Sequence, residues 1–136
     1  MNVAVIPLRS LKLLRFICND AFTIQMRGLV LRGNVVQGSI QTGQRLTIPT
    51  LNGSVEVAVG ALELNRRVVD FVDTDDDIGI IVEKSDDLRW VEIFRRINQP
   101  NLDEPEIPPY NVREFGISLP CEIIGSTDLP SKQNAG

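Results

Sequence analysis

The stretch FTIQMRGLVLRGNVVQGSIQTGQRLTI, residues Phe22–Ile48, decides the fold of this chain. Apolar and polar residues alternate at its start, which is typical of a strand with one buried face. The following β-forming residues contain Gly28 and Gly33, and glycine inside a strand often marks a bulge or a barrel corner. Two such glycines five residues apart favour a long strand that wraps around a small barrel.

Further strand signals follow along the chain. A glycine lies at each end of the loop Gly38–Gly43, and the next strand is expected over Gln44–Ile48. Asn52 and Gly53 then form a hairpin signal, because both residues tolerate the positive φ of a type I′ turn. The alternating segment Ser54–Val59 supplies the returning strand.

The second half of the chain continues the strand pattern and then becomes rich in proline and acidic residues. Strands are expected within Glu63–Val69 and Ile78–Glu83, and the apolar spacing near residues 86–97 fits a short helix. The predicted fold class is therefore all-β, with that one short helix. Residues 1–100 make up the barrel domain. Residues 101–136 are expected to form an acidic, Pro-rich connector, one extra strand over 112–124 and a disordered tail.

Composition and charge bear on nucleic-acid binding, membrane insertion and localisation. The chain of 136 residues carries 14 Lys and Arg against 18 Asp and Glu, a net charge of −4, whereas a dedicated nucleic-acid binder usually has a basic excess. No stretch reaches the roughly 20 apolar residues that span a bilayer. The N-terminus lacks the basic region of a signal peptide, so a cytoplasmic protein is expected. Cys18 and Cys121 allow one disulfide without requiring it, and are most simply small buried residues.

The usual catalytic and metal-binding patterns are missing from the sequence. Gly28–Gly33 has the glycine spacing of a P-loop, but Asn34 and Val35 stand where that loop requires Lys and Ser/Thr. The acidic run Asp73–Asp77 lacks the glycine and the glutamate that an EF-hand would need after it. The chain also has no histidine, the commonest general base and a common zinc ligand. We therefore expect no enzymatic activity, nucleotide, cofactor or metal site.

Residues 22–35 resemble a known motif, Phe-x-Ile-x-Gly-Arg-Gly-Thr-Val-Val-Thr-Gly-x-Val. Residues 38–44 are similar to the Gly-x-Ile-x-x-Gly-Asp that follows it. Both belong to the second, β-barrel domain of elongation factor Tu and other translational GTPases, so the resemblance implies a small closed Greek-key-type β-barrel. The resemblance weakens beyond this stretch and covers about residues 13–97. Met26, Leu29 and Arg32 depart from the motif, where the family has one glycine and two threonines.

The resemblance also implies a binding pocket. In elongation factor Tu this barrel helps to hold the aminoacyl end of tRNA against the GTPase domain. Matched position by position, the pocket falls on Asn19, Asp20, Phe22, Glu63 and Asp77. Asn19 replaces a family Glu and Asp77 a family Asn, so the polar character of the pocket is altered. The three carboxylates would suit a cationic group better than tRNA phosphate.

These observations predict a non-catalytic binding or docking module with a protein partner. The alternative is an RNA- or ribosome-associated factor, for which Arg66, Arg67, Arg95 and Arg96 would supply basic contacts. A third hypothesis, the least favoured, is an enzyme that uses Asp20 with Glu63 or Asp77, since paired carboxylates can divide acid and base roles. The partner's identity and any self-association into a homo-oligomer are left open by the sequence.

Overall fold

The computed structural model describes residues 13–24, 26–73, 75–98 and 112–125. The elements are β1 (Leu14–Ile24), β2 (Gly28–Gln37), β3 (Ile40–Gln41), β4 (Arg45–Ile48), β5 (Val55–Ala58), β6 (Ala61–Leu64), β7 (Arg67–Val69), β8 (Phe71–Val72), β9 (Asp75–Val82), α1 (Leu88–Asn98), α2 (Val112–Phe115) and β10 (Cys121–Gly125). The predictions for residues 1–12, for the connector up to residue 111 and for the tail from residue 126 lie outside these ranges.

The strands form one large antiparallel sheet and one small one. The large sheet has the order β5-β4-β10-β1-β2-β9-β6-β7, and β3 pairs with β8 in the second. The central pair, β1 with β2, is the longest ladder, running from Arg15 opposite Gln37 to Ile24 opposite Gly28. Residues 22–48 thus supply β2 and the end of β1, which lie in the middle of the sheet.

The closed barrel predicted from the sequence is wrong in one respect. The protein is mostly β, as expected, but among the described residues the large sheet is a curled half-barrel that stays open between β5 and β7. Both end strands are too short to pair along a full barrel wall, with four and three residues. Val57 of β5 instead makes an isolated bridge to Ser85, after β9.

The alternation of side chains explains which face is buried. In β1, Leu14, Phe16 and Cys18 face the core, and the parity then shifts by one residue so that Ala21 is the next buried position. An extra residue in one strand causes such a shift, because the side-chain period of a strand is two. Within the described chain, no buried side-chain nitrogen or oxygen lacks a hydrogen-bond partner.

The helix predicted near residues 86–97 is present as α1. Asp87 caps its N-terminus, with Oδ1 accepting hydrogen bonds from the backbone N–H of Arg89 at 2.9 Å and of Trp90 at 3.2 Å. Trp90, Ile93, Phe94 and Ile97 recur at helical spacing and are all buried. Neither helix in the described part of the chain has both the length and the apolar character needed to cross a membrane.

The C-terminal segment differs from the single strand predicted over residues 112–124. Val112–Phe115 forms the short helix α2, and only Cys121–Gly125 is extended. Phe115 explains the difference, because its ring packs against Trp90 and Phe94 of α1. Strand β10 then lies between β1 and β4, so a segment remote in sequence occupies the interior of the sheet.

Candidate functional site

Two bulges meet at the middle of the sheet and define the candidate site. In β1, Asn19 is the extra residue between the register pairs Cys18–Gly33 and Asp20–Arg32. On the other side of β2, the pairs Gly33–Ile78 and Val35–Asp75 leave one extra residue in β9. Bulges bend a strand and redirect its side chains, and they are enriched beside functional sites.

A cleft of about 570 Å³ opens at these bulges. Its volume falls within the range of ordinary ligand sites, about 300–1,000 Å³. The Asn19 amide nitrogen Nδ2 donates to Asn34 Oδ1 at 3.0 Å, which links the bulged strand to β2. The residues that line this bulge cleft are Asn19, Asp20, Phe22, Arg32, Gly33, Asn34 and Asp77. Four of the five pocket residues predicted from the sequence are therefore brought together.

A second cavity, of about 340 Å³, lies on the outer face of β2, β9 and β6. The fifth predicted residue, Glu63, belongs to this outer groove rather than to the bulge cleft. The residues lining it are Phe22, Ile24, Arg27, Val30, Arg32, Glu63, Asn65, Arg66, Asp77, Gly79 and Ile81. Phe22, Arg32 and Asp77 line both cavities, so the two form adjoining parts of one surface.

The register shows how the outer groove is built. Gly79 lies opposite Arg32 on one side and opposite Glu63 on the other. Directly opposed residues of antiparallel strands share a face of the sheet. Gly79 thus interrupts a row of charged side chains, and a Cβ there would lie in ordinary contact with Val30 Cγ1 at 3.7 Å and Glu63 Cβ at 3.8 Å.

The carboxylates of the site already have cationic partners within the chain. Arg32 Nη2 lies 2.5 Å from Asp77 Oδ1, and Arg27 Nη1 lies 3.5 Å from Glu63 Oε2. The hydrogen bond and charge of Asp77, helped less by the charges of Asp20 and Glu63, raise the pKa of Arg32 above its ordinary value. Two of the three carboxylates predicted for the pocket, Asp77 and Glu63, thus already have an arginine partner within the chain. Sequence reasoning treated Arg32 only as a departure from the family motif, although strand alternation could have placed it on the outer face.

The four predicted basic residues do not all belong to this surface. Arg66 and Arg67 are exposed on the hairpin between β6 and β7, and of the four only Arg66 lines either cavity. Arg95 and Arg96 lie in the last turn of α1, where their guanidinium groups reach Glu92 at 2.6 and 3.5 Å. The hydrogen bond from Arg95 lowers the pKa of Glu92 below its usual range.

Backbone conformation singles out the outer groove. Four non-glycine residues of the described chain have positive φ, namely Met26 (71°), Asn65 (54°), Arg66 (67°) and Asp77 (54°). Asn65, Arg66 and Asp77 all line the groove. Asn and Asp tolerate this left-handed region, whereas an arginine there is uncommon.

The arrangement is an open β-sheet surface with paired charges around a groove. Within the described ranges, no group of three His, Cys, Asp or Glu residues could hold a metal ion. No protein-family model matches the chain. Among solved structures it is similar to a bacterial selenocysteine-specific elongation factor, at 24% identity and a TM-score of 0.47.

That similarity covers 55% of this chain but only 12% of the elongation factor. The matched protein is a translation factor, the class that the motif in residues 22–48 resembles. Membership of the translation-factor family remains a prediction from the sequence motif.

Proposed function

We propose that this chain is a non-catalytic binding module that docks a segment of a protein partner in the outer groove. The observation that carries the proposal is the left-handed backbone of Asn65, Arg66 and Asp77 around that groove. Such conformations cost free energy and are concentrated at functional sites, where a side chain must be held in a set direction.

Arg66 is the most informative of the three residues. Leu64 and Arg67 are register partners, so Asn65 and Arg66 form a two-residue turn with φ positive at both positions. That turn, type I′, favours Asn followed by Gly. An arginine in place of glycine costs about 1–2 kcal/mol because its Cβ is crowded in the left-handed region. A contact between its guanidinium group and a partner would account for keeping it there.

The lining of the groove indicates the chemistry of the partner segment. Val30 and Ile81 give it an apolar floor, and Gly79 leaves room for a small side chain to reach them. Arg66 and Arg67 form no ion pair within the described residues, unlike Arg27 and Arg32. We therefore expect an extended segment with a small apolar residue over Gly79 and an acidic residue facing Arg66.

Replacing Arg66 should increase stability while it weakens partner binding. The variant Arg66→Gly is expected to raise the free energy of unfolding by about 0.5–1 kcal/mol, since glycine removes the left-handed cost but adds unfolded-state entropy. The same variant should weaken partner binding at least about tenfold, roughly the loss of one charge-assisted contact. Urea denaturation and a binding titration measure the two effects. Arg66→Lys is the matched control, because it keeps both the charge and the strained backbone.

Filling the groove should abolish docking while the fold survives. A Cβ at Gly79 would meet only side chains, Val30 Cγ1 at 3.7 Å and Glu63 Cβ at 3.8 Å, which is ordinary contact. Gly79→Ala should therefore keep or raise the free energy of unfolding, by about 0.4–1 kcal/mol. Affinity capture from the source cell, with mass spectrometry, should recover a stoichiometric protein with the wild type and lose it with Gly79→Ala.

The same capture separates the competing functions. Ribonuclease treatment and the absorbance ratio at 260 and 280 nm report any bound RNA. A protein retained after ribonuclease and lost with Gly79→Ala supports the proposal. Capture that disappears with ribonuclease, or that falls steeply with salt, would favour the RNA-associated alternative instead. Equal recovery by wild type and Gly79→Ala would place the partner outside the groove.

A further inference from the structure

The two cysteines of the chain lie directly opposite each other in the sheet. Cys18 of β1 and Cys121 of β10 are register partners at one end of an antiparallel ladder. Opposed residues of this kind have Cα atoms about 4.5–5.5 Å apart. Disulfides need Cα separations of about 4.4–6.8 Å, so the backbone already meets the requirement.

The side chains are placed for the same bond. Opposed residues project from the same face of a sheet. Cys18 is fully buried in the core, and Cys121 packs against that core while remaining half-buried. The thiols also contact each other, since a hydrogen bond between them is the largest influence on the pKa of each. That bond and burial raise the pKa of Cys18, whereas the same bond lowers the pKa of Cys121.

We propose that Cys18 and Cys121 form a reversible intrachain disulfide that fastens β10 to β1, with a small-molecule disulfide such as oxidised glutathione as the oxidant. The site is independent of the outer groove and of the function proposed for it. Both cysteines are free thiols in this structure, which is the reduced form.

The half-buried position of Cys121 sets the order of the chemistry. Its thiolate attacks one sulfur of oxidised glutathione, forming a mixed disulfide and releasing one glutathione thiolate. Cys18 then loses its proton and attacks Cys121 Sγ, and the second glutathione leaves. The protein gives up two electrons and two protons, and the oxidant becomes two molecules of reduced glutathione.

The disulfide would crosslink β10, the strand that connects two parts of the large sheet. Strand β10 pairs with β1 through five residue pairs and with β4 through two. Among the described strands, β10 alone connects the β4–β5 hairpin to the rest of the large sheet. Residues 18 and 121 are far apart in sequence, so a crosslink between them restricts most of the unfolded chain.

The test uses the native wild-type chain with oxidised glutathione. Titration of free thiols should fall from two per chain to none, with a mass lower by two hydrogens and a crosslinked peptide pair containing Cys18 and Cys121. The product should carry no interchain crosslink, return to two thiols with dithiothreitol, and show a higher urea midpoint than the reduced chain. Two persisting thiols, two glutathione adducts or an interchain crosslink would each overturn the proposal.

Single variants test the order of attack. Cys18→Ser should trap glutathione on Cys121, because the resolving thiol is gone. Cys121→Ser should leave Cys18 unmodified in the folded chain, because that thiol is buried. Stable glutathione on Cys18 of Cys121→Ser would overturn the proposed order. If either variant fails to fold, the thiol count and crosslinked peptide from the wild type decide the proposal alone.

Discussion

Gly33→Ala should lower the free energy of unfolding by at least about 3 kcal/mol, a large fraction of the roughly 5–15 kcal/mol of a typical domain. A Cβ at Gly33 would lie 1.8 Å from the backbone oxygen of Ile17 and 2.9 Å from its carbonyl carbon. These are backbone atoms of the neighbouring strand, so no side-chain rotation can make room. The substitution must separate β1 from β2, the longest ladder of the sheet.

Gly79→Ala is the matched control for this prediction. Both glycines lie in central strands, and Gly33 is the register partner of Ile78, the residue before Gly79. The surroundings of the added methyl group differ, because at Gly79 it would meet only side chains, at ordinary contact distances of 3.7 and 3.8 Å. Urea denaturation followed by circular dichroism should show a large loss for Gly33→Ala and none for Gly79→Ala. Equal midpoints for the two variants would mean that β1 and β2 do not approach as closely as the structure shows.

These two glycines also show what the sequence could and could not predict. Gly33 sits within a run of β-forming residues, and that local pattern correctly predicted a bulge region in a long strand. The hairpin predicted at Asn52 and Gly53 is also confirmed, since β4 and β5 pair across it. Its turn is not type I′, because Gly53 has positive φ but Asn52 does not.

The features that sequence reasoning missed depend on long-range contacts. Strand β10 pairs with β1 across roughly a hundred residues, and the short stretch Cys121–Gly125 carries no local signal for its neighbours. The closed barrel was predicted from the glycines and the family resemblance, yet closure depends on whether end strands meet. The turn at Asn65 and Arg66 was also missed, because an arginine at the second position contradicts the usual preference for glycine.

For a similar reason, only part of the candidate site was predicted correctly from the sequence. Asn19, Asp20 and Phe22 are neighbours in one strand, so their placement around the bulge cleft follows once β1 is recognised. Glu63 lies two strands away from Arg32, and only the register through Gly79 shows that it borders a separate groove. The ion pair between Arg32 and Asp77 changes the site from an acidic cluster to a surface of paired charges.

Replacing Trp90 should produce the second large effect. Trp90 is 1% exposed, and its indole Nε1 donates a hydrogen bond to the Phe115 carbonyl oxygen at 3.0 Å. Its ring meets those of Phe94 and Phe115 edge-on, with centroids 6.3 and 4.9 Å apart. Trp90→Ala should lower the free energy of unfolding by about 3–5 kcal/mol, through lost burial and the cavity left behind.

Two further variants separate the contributions of Trp90. Trp90→Phe keeps an aromatic ring but leaves the buried Phe115 carbonyl without its donor, and should cost about 1–3 kcal/mol. Leu88→Ala on the same helix removes a side chain that is 82% exposed, so its effect should stay within about 0.5 kcal/mol. Circular dichroism must follow unfolding, because Trp90 is the one tryptophan of the sequence. A loss for Trp90→Ala no larger than for Leu88→Ala would contradict the packing of α1 onto α2. The predicted order, Ala worse than Phe at position 90, follows because the carbonyl loses its donor in both variants, whereas alanine leaves a much larger cavity than phenylalanine.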